Sequence, residues 1–202
     1  MKRDRPTLTE RRAEELRLAI SRTAMELFVA DGDTSATVER IAEAAGVSAR
    51  TFHRHFAAKE DVVRPLFRQS STEVIAALRN APRDGDLVEA LVVAWTAALH
   101  DGTITPYEQR FLKLMATTPQ YRLRWLEVDD ELCDAVAEFL REQLAPGDHP
   151  LHWSLPANLI VHATRHVFDH WITSDPGADV AELLRHAFRF VLAGAGSRTA
   201  AG

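Results

Sequence analysis

The chain is short of cysteine, of long apolar runs and of positive charge, and each shortage removes a class of protein. Cys133 is the one cysteine in 202 residues, so no disulfide framework and no thiolate metal cluster can form within the chain. The longest apolar run, near residues 90–99, is about half the ~20 residues a bilayer-spanning helix needs, and no membrane partner is expected. Net charge is −5, which argues against a generic polyanion binder. The opening MKRDRPTLTE is followed by a charged helix pattern and not by the apolar stretch of a secretory leader, so a cytoplasmic protein is expected. Gly-x-Ser-x-Gly, phosphate-loop, His-Glu-x-x-His and dinucleotide fingerprints are all missing, so the chain reads as no enzyme and as needing no cofactor. Strand-like alternation and 20–50-residue repeats are missing too.

What remains is helical periodicity over a chain that is 46% apolar, enough for a sizeable core. Charge is distributed unevenly. Residues 1–64 hold 12 Lys/Arg against 11 Asp/Glu, and residues 65–202 hold 12 against 18. Any nucleic-acid contact is therefore expected to be local and N-terminal.

The pattern predicts about nine helices and an all-α fold. The first spans residues 10–30, with Thr7 and Glu10 at capping-box spacing and Gly32 stopping it. The second follows Thr37 as N-cap, with Val38, Ile41, Ala42 and Ala45 on one face. Gly46 supplies a left-handed turn, and a third, short helix begins after Ser48. The fourth is expected from about residue 59, with Pro65 kinking it or opening a second segment. Five more are expected near 86–100, 105–117, 119–144, 155–173 and 178–193.

The informative stretch is AGVSARTFHRHFAAKE, residues 45–60. Phe52 and Phe56 lie four apart and are expected to pack inward. Ala49, Arg50, Thr51, His53, Arg54 and His55 are read as outward, with no acid until Glu60. Such a helix is either the solvated face of a small bundle or a reading head. Small and basic residues together suit insertion into a major groove, where close approach and donors to base edges are both needed.

The longer stretch TVERIAEAAGVSARTFHRHFAAKEDV resembles the DNA-binding signature of the TetR family of bacterial regulators, over about residues 19–63. The resemblance implies an N-terminal three-helix helix-turn-helix domain, taken as residues 1–60, and a helical ligand-sensing and dimerisation domain, taken as 61–202. It implies that Thr37 and Ser48 cap their helices and that Thr37 lies near a phosphate. Arg50 and Thr51 stand at base- or phosphate-contacting positions, His53 where a tyrosine is usual, and Lys59 where a lysine meets a phosphate. Ala58 replaces a usual serine cap. It further implies a homodimer through the last two helices, double-stranded operator DNA as partner, and release by a small-molecule effector.

For the remainder, Trp95, Tyr107, Phe111, Met115, Trp125 and Phe168, with His162 and His166, are the candidates for lining the effector site. Core packing is the alternative for each aromatic. His100 and Gln109 are further polar candidates. His162, His166 and His170 recur every fourth residue, on a face shared with Asn158, Arg165 and Asp169. That reads as a polar or dimer-facing surface, with a metal site as the rival and none assigned. Cys133 reads as a small buried residue.

Overall fold

A computed structural model describes residues 7–82, 85–99, 104–144, 149–174 and 177–196. His100 lies outside the described residues. Among the described residues there are nine α-helices and no strand: α1 (Leu8–Asp31), α2 (Val38–Ala44), α3 (Ala49–His55), α4 (Arg64–Asn80), α5 (Leu87–Thr96), α6 (Pro106–Thr117), α7 (Pro119–Leu144), α8 (Leu151–Thr173) and α9 (Val180–Gly196). Residues up to Gln69 together with Pro106–Leu126 form one compact unit; Ser70–Thr105 with the chain from Glu127 onward form a second.

In the first unit, α1 opens on a capping box. Glu10 N–H donates to Thr7 Oγ1 (3.2 Å) while Thr7 N–H donates to Glu10 Oε2 (2.7 Å), satisfying donors a helix start leaves over. It closes on Gly32, whose φ of 75° is a left-handed conformation a Cβ disfavours. Its inner stripe of Ile20, Ala24 and Phe28 is fully buried. From later in the chain, Tyr121 meets Phe28 edge-on at 5.5 Å, and Trp125 stacks on Phe67 at 4.9 Å and 5°. Aromatic pairs in these geometries add to the stabilisation from burial alone.

The expected fourth helix divides. Lys59–Val63 form a 3-10 turn, and α4 starts only at Arg64, so Pro65 falls in its first turn rather than at a kink within it. A proline there removes no bond the helix would otherwise make. With no side-chain acceptor on Ala58, the Asp61 carboxylate helps secure this start, accepting from Ala58 N–H at 3.0 Å.

In the second unit α9 packs along α8 and α5. Phe188 meets Trp95 at 5.6 Å, and Trp171 donates its indole N–H to the Ala178 carbonyl at 3.0 Å. Arg185 clamps Glu89 through two bonds of 2.6 and 3.0 Å, which hold the Glu89 carboxyl below its usual range. α5 ends four residues before the expected limit. α8 begins a turn before its expected start, so Pro156 lies inside it. Asn158 Nδ2 donates to the Ser154 carbonyl there, at 2.9 Å.

Arg165 corrects the helical-wheel reading. It is buried, and its guanidinium grips Asp129 of α7 through Nε (2.9 Å) and Nη2. Burial pushes the Asp129 carboxyl up, and the Arg165 charge opposes that push. Cys133 is only half-buried, with its Sγ 3.6 Å from Asn158 Oδ1. Burial, and then the neighbouring acids, push its thiol up, so it carries little thiolate.

Candidate nucleic-acid interface

The unit of α2 and α3 forms for local reasons. Thr37 Oγ1 accepts from Arg40 N–H (3.3 Å) and Ser48 Oγ from Thr51 N–H (3.1 Å), which caps α2 and α3 in turn. Gly46, at φ 67°, makes the bend between them, and Val47 N–H closes it on the Ala42 carbonyl at 2.9 Å. Arg40 forms a bidentate pair with Asp31, tying α2 to the end of α1. Phe52 and Phe56 are 0% and 4% exposed, with centroids 5.0 Å apart, so the back of α3 is fixed.

The front of α3 presents Arg50, His53 and Arg54 to solvent, with Ala49 and Thr51 half-buried at its start. No acid lies in its first turn, and His53, Arg54 and His55 occupy its last, where cations are favoured by the helix dipole. Thr37 and Ser48 are exposed beside these groups while capping their helices. Lys59 is half-buried and donates to the Thr34 carbonyl at 2.9 Å.

His55 departs from the outward set. It stands three residues after Phe52 and so shares its inward face. Among the described residues, neither ring nitrogen has a hydrogen-bond partner. Burial first, then Arg54 and Arg17, hold its pKa below the ordinary 6.5. Below pH 6.5 the unfolded chain therefore takes up this proton before the folded chain does. The stability held above pH 6.5 falls away as pH drops toward the lowered value. In His55→Gln that part of the acid loss is expected to vanish, as measured by comparing urea unfolding of the two proteins at about pH 7.5 and about pH 5.5.

The effector candidates divide between the two units. In the first, Phe111, Met115 and Trp125 are buried. Tyr107 is half-buried, and its hydroxyl has no partner among the described residues. In the second, Trp95 is buried against Phe188, Phe168 is half-buried against Trp171 at 6.0 Å, and His162 and His166 are exposed. Sequence reading missed the stripe of exposed leucines on α8, Leu151, Leu155 and Leu159. Their spacing of four was the available signal. Among the described residues no helix is long and apolar enough to cross a membrane.

Residues 20–66 match the family model described as bacterial regulatory proteins, tetR family. The chain is 32% identical over 142 residues to the HTH-type transcriptional regulator TcmR of Streptomyces glaucescens. That match covers 67% of this chain and 63%, under two thirds, of TcmR. It is 30% identical over 144 residues to the HTH-type transcriptional repressor AcnR of Corynebacterium diphtheriae, covering 70% and 72%. Among solved structures it is similar to Thermus thermophilus FadR, a TetR-family transcriptional repressor in complex with lauroyl-CoA. The TM-score is 0.65 at 27% identity, covering 92% of this chain and 98% of that one.

Proposed function

Because the chain belongs to the TetR family of bacterial regulatory proteins, we propose that it is a transcriptional repressor that binds a palindromic operator as a homodimer and is released by a small molecule. Residues 1–60 read DNA, and residues 61–202 sense the effector and dimerise. One observation carries the reading: α3 is pinned from behind by Phe52 and Phe56 while Arg50, His53 and Arg54 are exposed in front. That is the arrangement a major-groove helix needs, since a rigid back fixes the register in which donors meet base edges.

Two heads must sit about 34–36 Å apart to enter successive grooves, and a two-fold axis supplies that pair. The leucines of α8 and Phe190 of α9, 79% exposed, support an interface built from these two helices. An effector needs only to prefer one head spacing, since about 1–3 kcal/mol of coupling changes operator affinity roughly 5- to 150-fold. Of the candidates, Trp95 and Phe168, with His162 and His166, belong to the unit that carries the interface helices. FadR was solved with an acyl thioester, lauroyl-CoA, and an apolar effector suits the aromatic candidates here.

The test is fluorescence anisotropy against a duplex recovered by selection from random sequence. Arg50→Ala and Arg54→Ala are each expected to cost about 1–3 kcal/mol of binding if they read bases. Lys59→Ala is expected to weaken all duplexes alike and to shallow the salt dependence. Unchanged affinity in all three variants overturns the assignment of α3 as the reading helix.

A further inference from the structure

The exposed face of α8 changes chemistry halfway along. Leu151, Leu155 and Leu159 are followed on the same face by His162, His166 and His170, all six of them exposed. At about 100° per residue, the leucines fall at about 0°, 40° and 80° around the helix. His162 and His166 fall at about 20° and 60°, on either side of the Leu155 line, and His170 drifts to about 100°. The backbone under the two centred histidines is held from behind. Ile160, Val161, Thr164 and Val167 are buried, and Arg165 grips Asp129 of α7. Residues one turn apart stand about 5–6 Å apart at Cβ, the spacing at which two histidines of one helix share a transition-metal ion. Among the described residues one copy supplies no more than such a pair, since no three His, Cys, Asp or Glu side chains converge as a ligand set. Asp129, whose carboxyl feels the His162 charge, is already held by Arg165.

We propose that His162 and His166 of two copies together bind one divalent transition-metal ion of the zinc class where their α8 helices meet. This rests on the proposed homodimer through the last two helices. A two-fold interface sets the same patch of each copy against the other. An ion on the axis then meets two imidazoles from each side, and four nitrogens complete the tetrahedral shell zinc takes in closed sites. The leucines run into the histidines along one line, so a partner seated on Leu155 and Leu159 continues onto His162. Imidazole suits zinc, copper and nickel, whereas magnesium and calcium prefer oxygen ligands. An ion that binds only the paired form stabilises it by mass action, so metal raises the fraction of chains that present two heads. His162 and His166 are then ligands at a subunit contact and not walls of an apolar effector site, a role their exposure favours.

The test uses the full-length protein without DNA, dialysed against zinc chloride or magnesium chloride. Metal analysis gives the stoichiometry, and analytical ultracentrifugation gives the dimer dissociation constant. Zinc is expected to bind at one ion per two chains. With free zinc at about ten times its own dissociation constant, dimerisation is expected to tighten about tenfold. Magnesium is expected to do neither. His162→Ala and His166→Ala are each expected to abolish both effects, and His170→Ala to leave both intact. All three side chains are exposed, so circular dichroism is expected to show an unchanged fold. One zinc per chain with an unchanged dimer, or a His166→Ala protein that binds as the parent does, overturns the site. A dimer that takes up no zinc overturns it too, and leaves the pairing of α8 and α9 standing. A protein that stays monomeric with and without zinc sinks the dimer reading, and this site with it.

Discussion

Replacing Leu155 and Leu159 together with arginine is expected to give a folded monomer whose operator affinity has fallen about 10²- to 10⁴-fold, the usual contribution of linking two binding modules. Leu151, Leu155 and Leu159 are 58%, 55% and 44% exposed at successive turns of α8. A large apolar side chain left in water forgoes up to about 1.5–3 kcal/mol available on full burial. A two-fold interface is isologous, so each substitution acts twice. Two changes remove four leucines and bring four guanidiniums toward one axis. Fold stability barely changes, because these side chains are largely solvated within the monomer. Leu123 of α7, 52% exposed, is the control: Leu123→Arg leaves the dimer intact. Light scattering after size exclusion gives the mass, and anisotropy gives the affinity. A Leu155→Arg/Leu159→Arg protein that stays dimeric would remove α8 from the interface.

The second large effect concerns Asp129 and Arg165. Asp129→Ala is expected to destabilise the second unit by about 3–5 kcal/mol, whereas Asp129→Leu with Arg165→Met should be neutral or stabilising by about 1–4 kcal/mol. Their side chains are 15% and 9% exposed, so each partner has lost most of its water. Burial is the largest influence on Asp129 and raises its pKa, and the attraction of Arg165 opposes without reversing it. The sign follows: a raised carboxylate takes its proton more readily in the folded chain, so its contribution grows as pH falls and shrinks as pH rises. Truncating Asp129 alone is worse, because it removes the carboxylate that Arg165 Nε and Nη2 both hold. Urea unfolding followed by circular dichroism separates the cases. A double replacement as damaging as Asp129→Ala would mean the ion pair itself holds α7 to α8.

The α2–α3 unit was legible because its determinants are local. Thr37, Gly46 and Ser48 act within three or four residues of themselves, and Phe52 and Phe56 are spaced by one helical turn. The bounds of α6 and α7 were legible for the same reason, with Pro106 and Pro119 opening each helix. The long-range partners were not. Arg165 looks polar on a helical wheel, and its acid lies 36 residues earlier on another helix, which no periodicity reveals. His55 was within reach, since a residue three beyond Phe52 shares its face; its charge type obscured its position. The start of α4 turned on whether Pro65 breaks or bends a helix. Asp61, which secures the 3-10 turn ahead of it, settles that through a side-chain bond rather than a propensity. Which of Trp95, Tyr107, Phe111, Met115, Trp125 and Phe168 meets an effector is not written in their type, because an aromatic serves a core and a pocket through the same burial.

The two sides of α3 tolerate substitution differently. Its rings are locked into the interior, where a lost methylene is felt, whereas Arg50, His53 and Arg54 face water, where exchange typically changes stability by no more than about 0.5 kcal/mol. If α3 reads DNA as proposed, mutation can edit the recognised sequence one letter at a time without threatening the scaffold. A gene duplicate could acquire a new set of targets long before it needed a new core.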